Sequence, residues 1–205
     1  MNIHKKRIVL KRKKYQVIQK LFKLSEWHSG IIDDHPYAVE VVKICNQLIE
    51  GIREVEDYKI VEVGCGIGDI IASISCSNRN KIGLDIDKKI IKAAKIIHPF
   101  VSFYIGSFNN ICNQKIAILV AVNFLHVIND MEVLFCFKNL VRKNDIKYII
   151  VDKVQKKAYK FEHDYDAIMR ECGYSLYKKS KRFCASQNSS RWILTYRKME
   201  GLHDK

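Results

Sequence analysis

"VEVGCGIGDI", residues 61–70, joins a β-branched run to an apolar stretch through three glycines at alternate positions: Gly64, Gly66 and Gly68. Glycine adopts positive φ without steric cost and lets another molecule come close to the backbone. A strand-to-helix turn of this kind offers amides at a helix N-terminus, where anions bind. Phosphate is one such ligand and an amino-acid carboxylate another. The spacing narrows the choice, because a dinucleotide fingerprint, G-x-G-x-x-G, needs its third glycine where Asp69 stands. No Gly-Lys-Ser/Thr follows, so a nucleoside-triphosphate loop is poorly supported.

On either side of this turn the chain alternates strand-like and helical runs. "YKIVEV" (58–63), "KIGLDI" (81–86), "VSFYI" (101–105), "KIAILVAV" (115–122) and "IKYIIVD" (146–152) are short and apolar on both faces. Helical stretches separate most of them: "DIIASISC" (69–76), "DKKIIKAAKII" (87–97) and "MEVLFCFKNLVRK" (131–143). Strands of this kind form a parallel sheet covered on both sides, an α/β doubly wound architecture. Upstream, Asp34 and His35 precede Pro36, and Val39, Val42, Leu48 and Ile49 recur until Gly51, which predicts a helix over 36–50. After a helix around 162–172, "YSLYKKSKRF" and "RWILTYRK" are joined by too few residues for a crossover helix, so this pair should be antiparallel. Five parallel strands and a terminal hairpin make seven. The expected organisation is a basic helical extension or lid over 1–35 and an α/β domain over 36–205.

A chain of 205 residues that is 48% hydrophobic suits one globular domain. Its longest apolar runs fall well short of the roughly 20 residues that span a bilayer. The N-terminus has positive charge but neither an apolar core nor a small-residue cleavage site, so the expected location is cytoplasmic. Seven scattered cysteines without a C-x-x-C pair, and histidines without a short ligand spacing, point to reduced thiols and no metal site. The formal charge of +14 is mostly lysine, and residues 1–23 hold nine Lys/Arg and no acid. Within this segment Val17, Ile18, Leu21, Phe22 and Leu24 recur at helical spacing. Three readings of the charge stay open: a solvated surface, an anionic membrane surface or glycan carrier, and RNA or DNA.

"VEVGCGIG", with Glu62 two residues before the first glycine, resembles the glycine-rich signature of class I S-adenosylmethionine-dependent methyltransferases. Asp85, twenty-one residues after Gly64, matches the family's acidic residue that takes both ribose hydroxyls. A carboxylate suits that task because it accepts two hydrogen bonds from a vicinal diol; the competing reading is a helix N-cap. "YIGSFNN" (104–110) stands where the family often carries Gly-Asp beside the adenine, but Ser107 and Phe108 follow Gly106 here. "AVNFLHVIND" (121–130) resembles the family's motif after the fourth strand, with Asn123 and His126 in matching positions. The resemblance therefore implies S-adenosyl-L-methionine as cofactor, held by Glu62, Gly64, Cys65, Gly66, Gly68, Asp85, Ile86, Ser107, Phe108 and Asn123.

The implied reaction is displacement at a sulfonium methyl, in which alignment and exclusion of water supply most of the catalysis. A hydroxyl acceptor also benefits from a general base. The candidates are His126, then His28 and His35, whose segment precedes the core and could fold over the site. The favoured acceptor is a small molecule or a sugar of a glycan. One rival is RNA, against which "VNFLHV" stands where base N-methylating relatives carry Asn/Asp-Pro-Pro-Tyr. Another is a cofactor-binding partner subunit without catalysis.

Overall fold

The computed structural model describes residues 3–25, 32–156, 159–186 and 189–200. Five parallel strands, β1 (Lys59–Val63), β2 (Lys81–Asp85), β3 (Ser102–Ile105), β4 (Lys115–Ala121) and β5 (Asp145–Lys156), form most of one sheet. β6 (Tyr174–Lys179), β7 (Phe183–Ser186) and β8 (Ser189–Lys198) complete it, in the order β3-β2-β1-β4-β5-β8-β6. β8 runs antiparallel to β5 along one edge and to both β6 and β7 along the other. β6 and β7 therefore share the seventh position as one interrupted edge strand. Ser180 seals the break: its N–H donates to the Ile193 carbonyl at 2.9 Å and its Oγ accepts the Ile193 N–H at 2.8 Å. The seven-position, mostly parallel sheet with an antiparallel end matches the expectation from sequence.

Alternation along the strands builds two cores, because successive side chains point to opposite faces. Ile60, Ile118, Ile150 and Ile193 face the layer of α2 (Pro36–Glu50), α3 (Asp69–Ser73) and α4 (Lys88–Ile97). Their neighbours Val61, Leu119, Val151 and Leu194 face α5 (Asp130–Lys143) and α6 (Tyr165–Glu171). The 36–50 helix forms where Pro36 predicts it, but its buried stripe is Ala38, Val41, Ile44, Cys45 and Leu48. Val39 lies off that stripe and is exposed, so hydrophobicity alone misplaced the face.

Helix α1 (Ile3–Phe22) lies on α4, with Tyr15 and Ile18 buried against Ile67, Ile90, Ala93 and Ile97. Lys14 Nζ donates to the Ile97 carbonyl at 3.0 Å, placing a cation on a free acceptor at the end of α4. Of the apolar residues that predicted this helix, Ile18 is buried while Val17 and Leu21 face outward.

Candidate active site

In the order β3-β2-β1-β4-β5, crossovers leave β1 and β4 in opposite directions, and ligands of open α/β sheets bind at this divide beyond the carboxyl ends of the strands. A cavity of about 770 Å³ opens there, a size suited to a small ligand or cofactor. Every residue that the sequence assigned to the cofactor lines it except Gly68, and so do His35 and His126. His28 lies outside the described residues.

The glycine turn takes the shape its composition demands. Gly64, Gly66 and Gly68 have φ of 66°, 54° and 83°, all in the left-handed region. A Cβ on Gly64 would sit 2.5 Å from the Phe124 ring, and one on Gly68 2.4 Å from the Phe103 ring. Gly68 thus acts through packing, letting the turn lie on a buried aromatic at the start of α3. The amides are less open than the sequence suggested. Cys65 N–H donates to the Leu84 carbonyl at 2.9 Å, Gly68 N–H to the Cys65 carbonyl at 2.9 Å, and Gly66 N–H to Asp85 Oδ2 at 3.0 Å. What the turn offers a ligand is chiefly backbone free of side chains.

Asp85, at the end of β2, accepts the Gly66 N–H on one oxygen and the Asp87 N–H, at 2.9 Å, on the other. Each oxygen keeps a further lone pair for an incoming donor. Capping of α4 falls to Asp87, whose carboxylate accepts the Lys89 N–H at 2.7 Å. The helix-cap reading of Asp85 is thereby displaced by two residues, to Asp87. Glu62 is buried in β1 and accepts the Ile71 N–H at 3.0 Å; burial pushes its carboxyl well up, against the pull of that bond. Phe108 packs on Phe124 and Phe137 while its ring also reaches the cavity, so it is both core and lining.

On the β4 side, Asn123 sits at φ 68°, its N–H donating to Asp152 Oδ1 at 2.8 Å and its Oδ1 accepting from Arg191 Nη2 at 2.7 Å. Arg191 Nη1 stands 3.2 Å from Asp152 Oδ2, and its guanidinium lies 4.0 Å from the centre of the Tyr37 ring. Burial raises the Asp152 carboxyl above its usual range, opposed first by Arg191 and then by the Asn123 N–H. Beyond Asn123, the His126 imidazole stacks on Tyr159 with centroids 4.0 Å apart. The short turn that carries it is braced by His163, whose Nε2 meets the Leu125 carbonyl at 2.8 Å while Nδ1 meets Asp130. His35 caps α2 with its main chain, its carbonyl accepting the Ala38 N–H at 2.8 Å; its imidazole lines the cavity beside Tyr37.

Sequence reasoning missed Tyr37, Asp69, Asp152, Tyr159 and Arg191. Asp69 accepts from Tyr15, from the Ile32 N–H at 3.0 Å and from His98 at 3.1 Å, so it ties the N-terminal helix to the cavity wall. Position 69 carried one signal, a polar residue opening a helix after glycine. Tyr159 and Arg191 belong to no motif and reach the site only through the fold.

No protein-family model matches the sequence, and no curated protein does. Solved structures do. Magnesium protoporphyrin IX methyltransferase from Synechocystis, with S-adenosylmethionine bound, is similar at a TM-score of 0.68 and 15% identity, over 91% of this chain and 97% of that one. The N-methyltransferase NodS from Bradyrhizobium japonicum, with S-adenosylhomocysteine, gives 0.67 and 13% over 91% and 99%. A TehB-like methyltransferase from Corynebacterium glutamicum gives 0.56 and 16% over 76% and 87%. The chain thus has the fold of the class I S-adenosylmethionine-dependent methyltransferases.

Proposed function

We propose that the protein is an S-adenosylmethionine-dependent methyltransferase that acts on a hydroxyl group of a small molecule or sugar. The observation that carries this reading is the pairing of a positive-φ glycine turn with Asp85, each of whose oxygens keeps accepting capacity, on one wall of a cavity at the sheet's divide. The residues fit the cofactor: side-chain-free backbone at Gly64 and Gly66 for its amino-acid end, Asp85 for its ribose diol, and Ile86, Ser107 and Phe108 for its adenine. Neighbours of the same fold hold this cofactor or its demethylated product in their own sites.

When bound, S-adenosylmethionine supplies an activated methyl group. This chain's own residues then align the acceptor, exclude water and take up its proton. His126 is the proposed base, with Tyr159 fixing its ring plane and the His163 brace fixing its backbone. Asn123, held at positive φ by Asp152 and Arg191, lines the cavity beside His126. His35 and Tyr37 complete the lining, with the Tyr37 ring against Arg191.

Thermal unfolding with added S-adenosylhomocysteine tests the reading. A ligand at about a hundred times its Kd adds about 2.7 kcal/mol, which for a domain of this size raises Tm by roughly 5–10 °C. An unchanged Tm at millimolar ligand contradicts it.

A further inference from the structure

We propose that the outward face of α1 is a membrane-docking surface that seats the protein on an anionic lipid bilayer. The helix has two apolar faces. One, through Tyr15 and Ile18, is buried on α4. The other carries Leu10, Val17 and Leu21, exposed by 67%, 63% and 68%. At 3.6 residues per turn these three fall within about 40° of one another, a continuous stripe rather than scattered contacts. Exposed Lys13 and Lys20 border the stripe along one side, in a segment of 23 residues with nine Lys/Arg and no acid.

A stripe of aliphatic side chains bordered by lysines fits one environment best. The headgroup boundary of an anionic bilayer offers hydrocarbon for Leu10, Val17 and Leu21 and negative charge for the lysines. Nucleic acid offers the charge alone, since leucine and valine give no face for base stacking. A second copy of the chain offers apolar surface, but pairing α1 with itself would set lysines against lysines with no acid between them. Among the described residues no helix is long and apolar enough to cross a membrane, so α1 lies in the plane of the surface. The same helix is tied to the cavity wall through the Tyr15–Asp69 hydrogen bond. The surface stands on α1 alone and does not depend on what the cavity binds.

Co-sedimentation of the full chain with phosphatidylcholine vesicles, with and without phosphatidylglycerol, tests the proposal. Binding is expected only with the anionic lipid and should weaken roughly fivefold for each lysine changed to glutamine at positions 13 and 20. The variant Leu10→Gln/Val17→Gln/Leu21→Gln, all on the exposed face, should lose binding by about a hundredfold or more while its Tm is unchanged. Undiminished binding by that variant overturns the proposal, as does equal binding to neutral vesicles or none to either. RNA binding that depends on the lysines but not on the apolar stripe, without vesicle binding, also overturns it. So does a dimer in solution that the glutamine variant disrupts.

Discussion

Two carboxylates, Asp69 in the cavity wall and Asp152 behind Asn123, have surroundings that differ in kind. Asp69, at the start of α3, is surrounded by donors: Tyr15, His98, the Ile32 N–H and, at 3.6 Å, Lys11. Burial alone would raise its carboxyl, but the bonds from His98 and Tyr15 and the Lys11 charge outweigh it and hold the group below the ordinary carboxylate range. Asp152, beneath Asn123, has one backbone donor and one guanidinium, and there burial wins and raises the carboxyl. A saturated carboxylate has little left to offer a ligand and acts as a pin for α1. An undersatisfied one keeps its demand for a cation, and through Arg191 that demand holds Asn123 in the cavity wall.

The largest effect should come from unbalancing the second site. Arg191→Met leaves Asp152 buried without its cation and is expected to cost about 3–5 kcal/mol in urea unfolding. Adding Asp152→Asn to that variant removes the stranded charge and should recover most of the loss; no recovery would mean that the pair matters only for packing.

On the glycine side, Gly68→Ala forces a side chain into left-handed backbone against Phe103, at an expected cost of roughly 2–4 kcal/mol by the same measurement. Gly64→Ala should cost less, because Phe124 is only partly buried and can yield.

Acid titration separates the two carboxylates by sign. The folded pKa of Asp69 is depressed, so its contribution is fully present above the unfolded value of about 3.9 and is lost as pH falls through the folded one. Asp69→Asn should therefore flatten the stability loss below about pH 4. The folded pKa of Asp152 is raised, so its ionised form costs stability above that pKa, and Asp152→Asn should instead flatten the part of the profile above pH about 3.9. The smallest effect belongs to Tyr15→Phe, which deletes one donor to Asp69 and should cost about 1 kcal/mol.

The sheet was legible because its strands are apolar on both faces and glycine, proline and charge punctuate them. This part of the cavity lining was legible for a related reason: Gly64, Gly66, Asp85, Ser107 and Asn123 follow or end consecutive strands, so chain order maps directly onto the sheet's carboxyl edge. Tyr159 and Arg191 were not legible. They come from beyond β5, where the sheet reverses direction, and they meet His126 and Asn123 only after the antiparallel end has folded back. The face of α2 was misjudged because valine was weighed for hydrophobicity, whereas the packing of Ala38 and Cys45 depends on helical phase. The apolar periodicity of α1 was readable, but which of its residues are covered depends on the position of α4.

A crystal structure with S-adenosylhomocysteine bound is the most direct measurement. The ribose hydroxyls are expected on the two oxygens of Asp85, with the amino-acid end against Gly64 and Gly66 and the sulfur facing the space between Asn123 and His126. Density for the ligand outside this cavity, or inside it with Asp85 turned away from the sugar, would contradict the assignment.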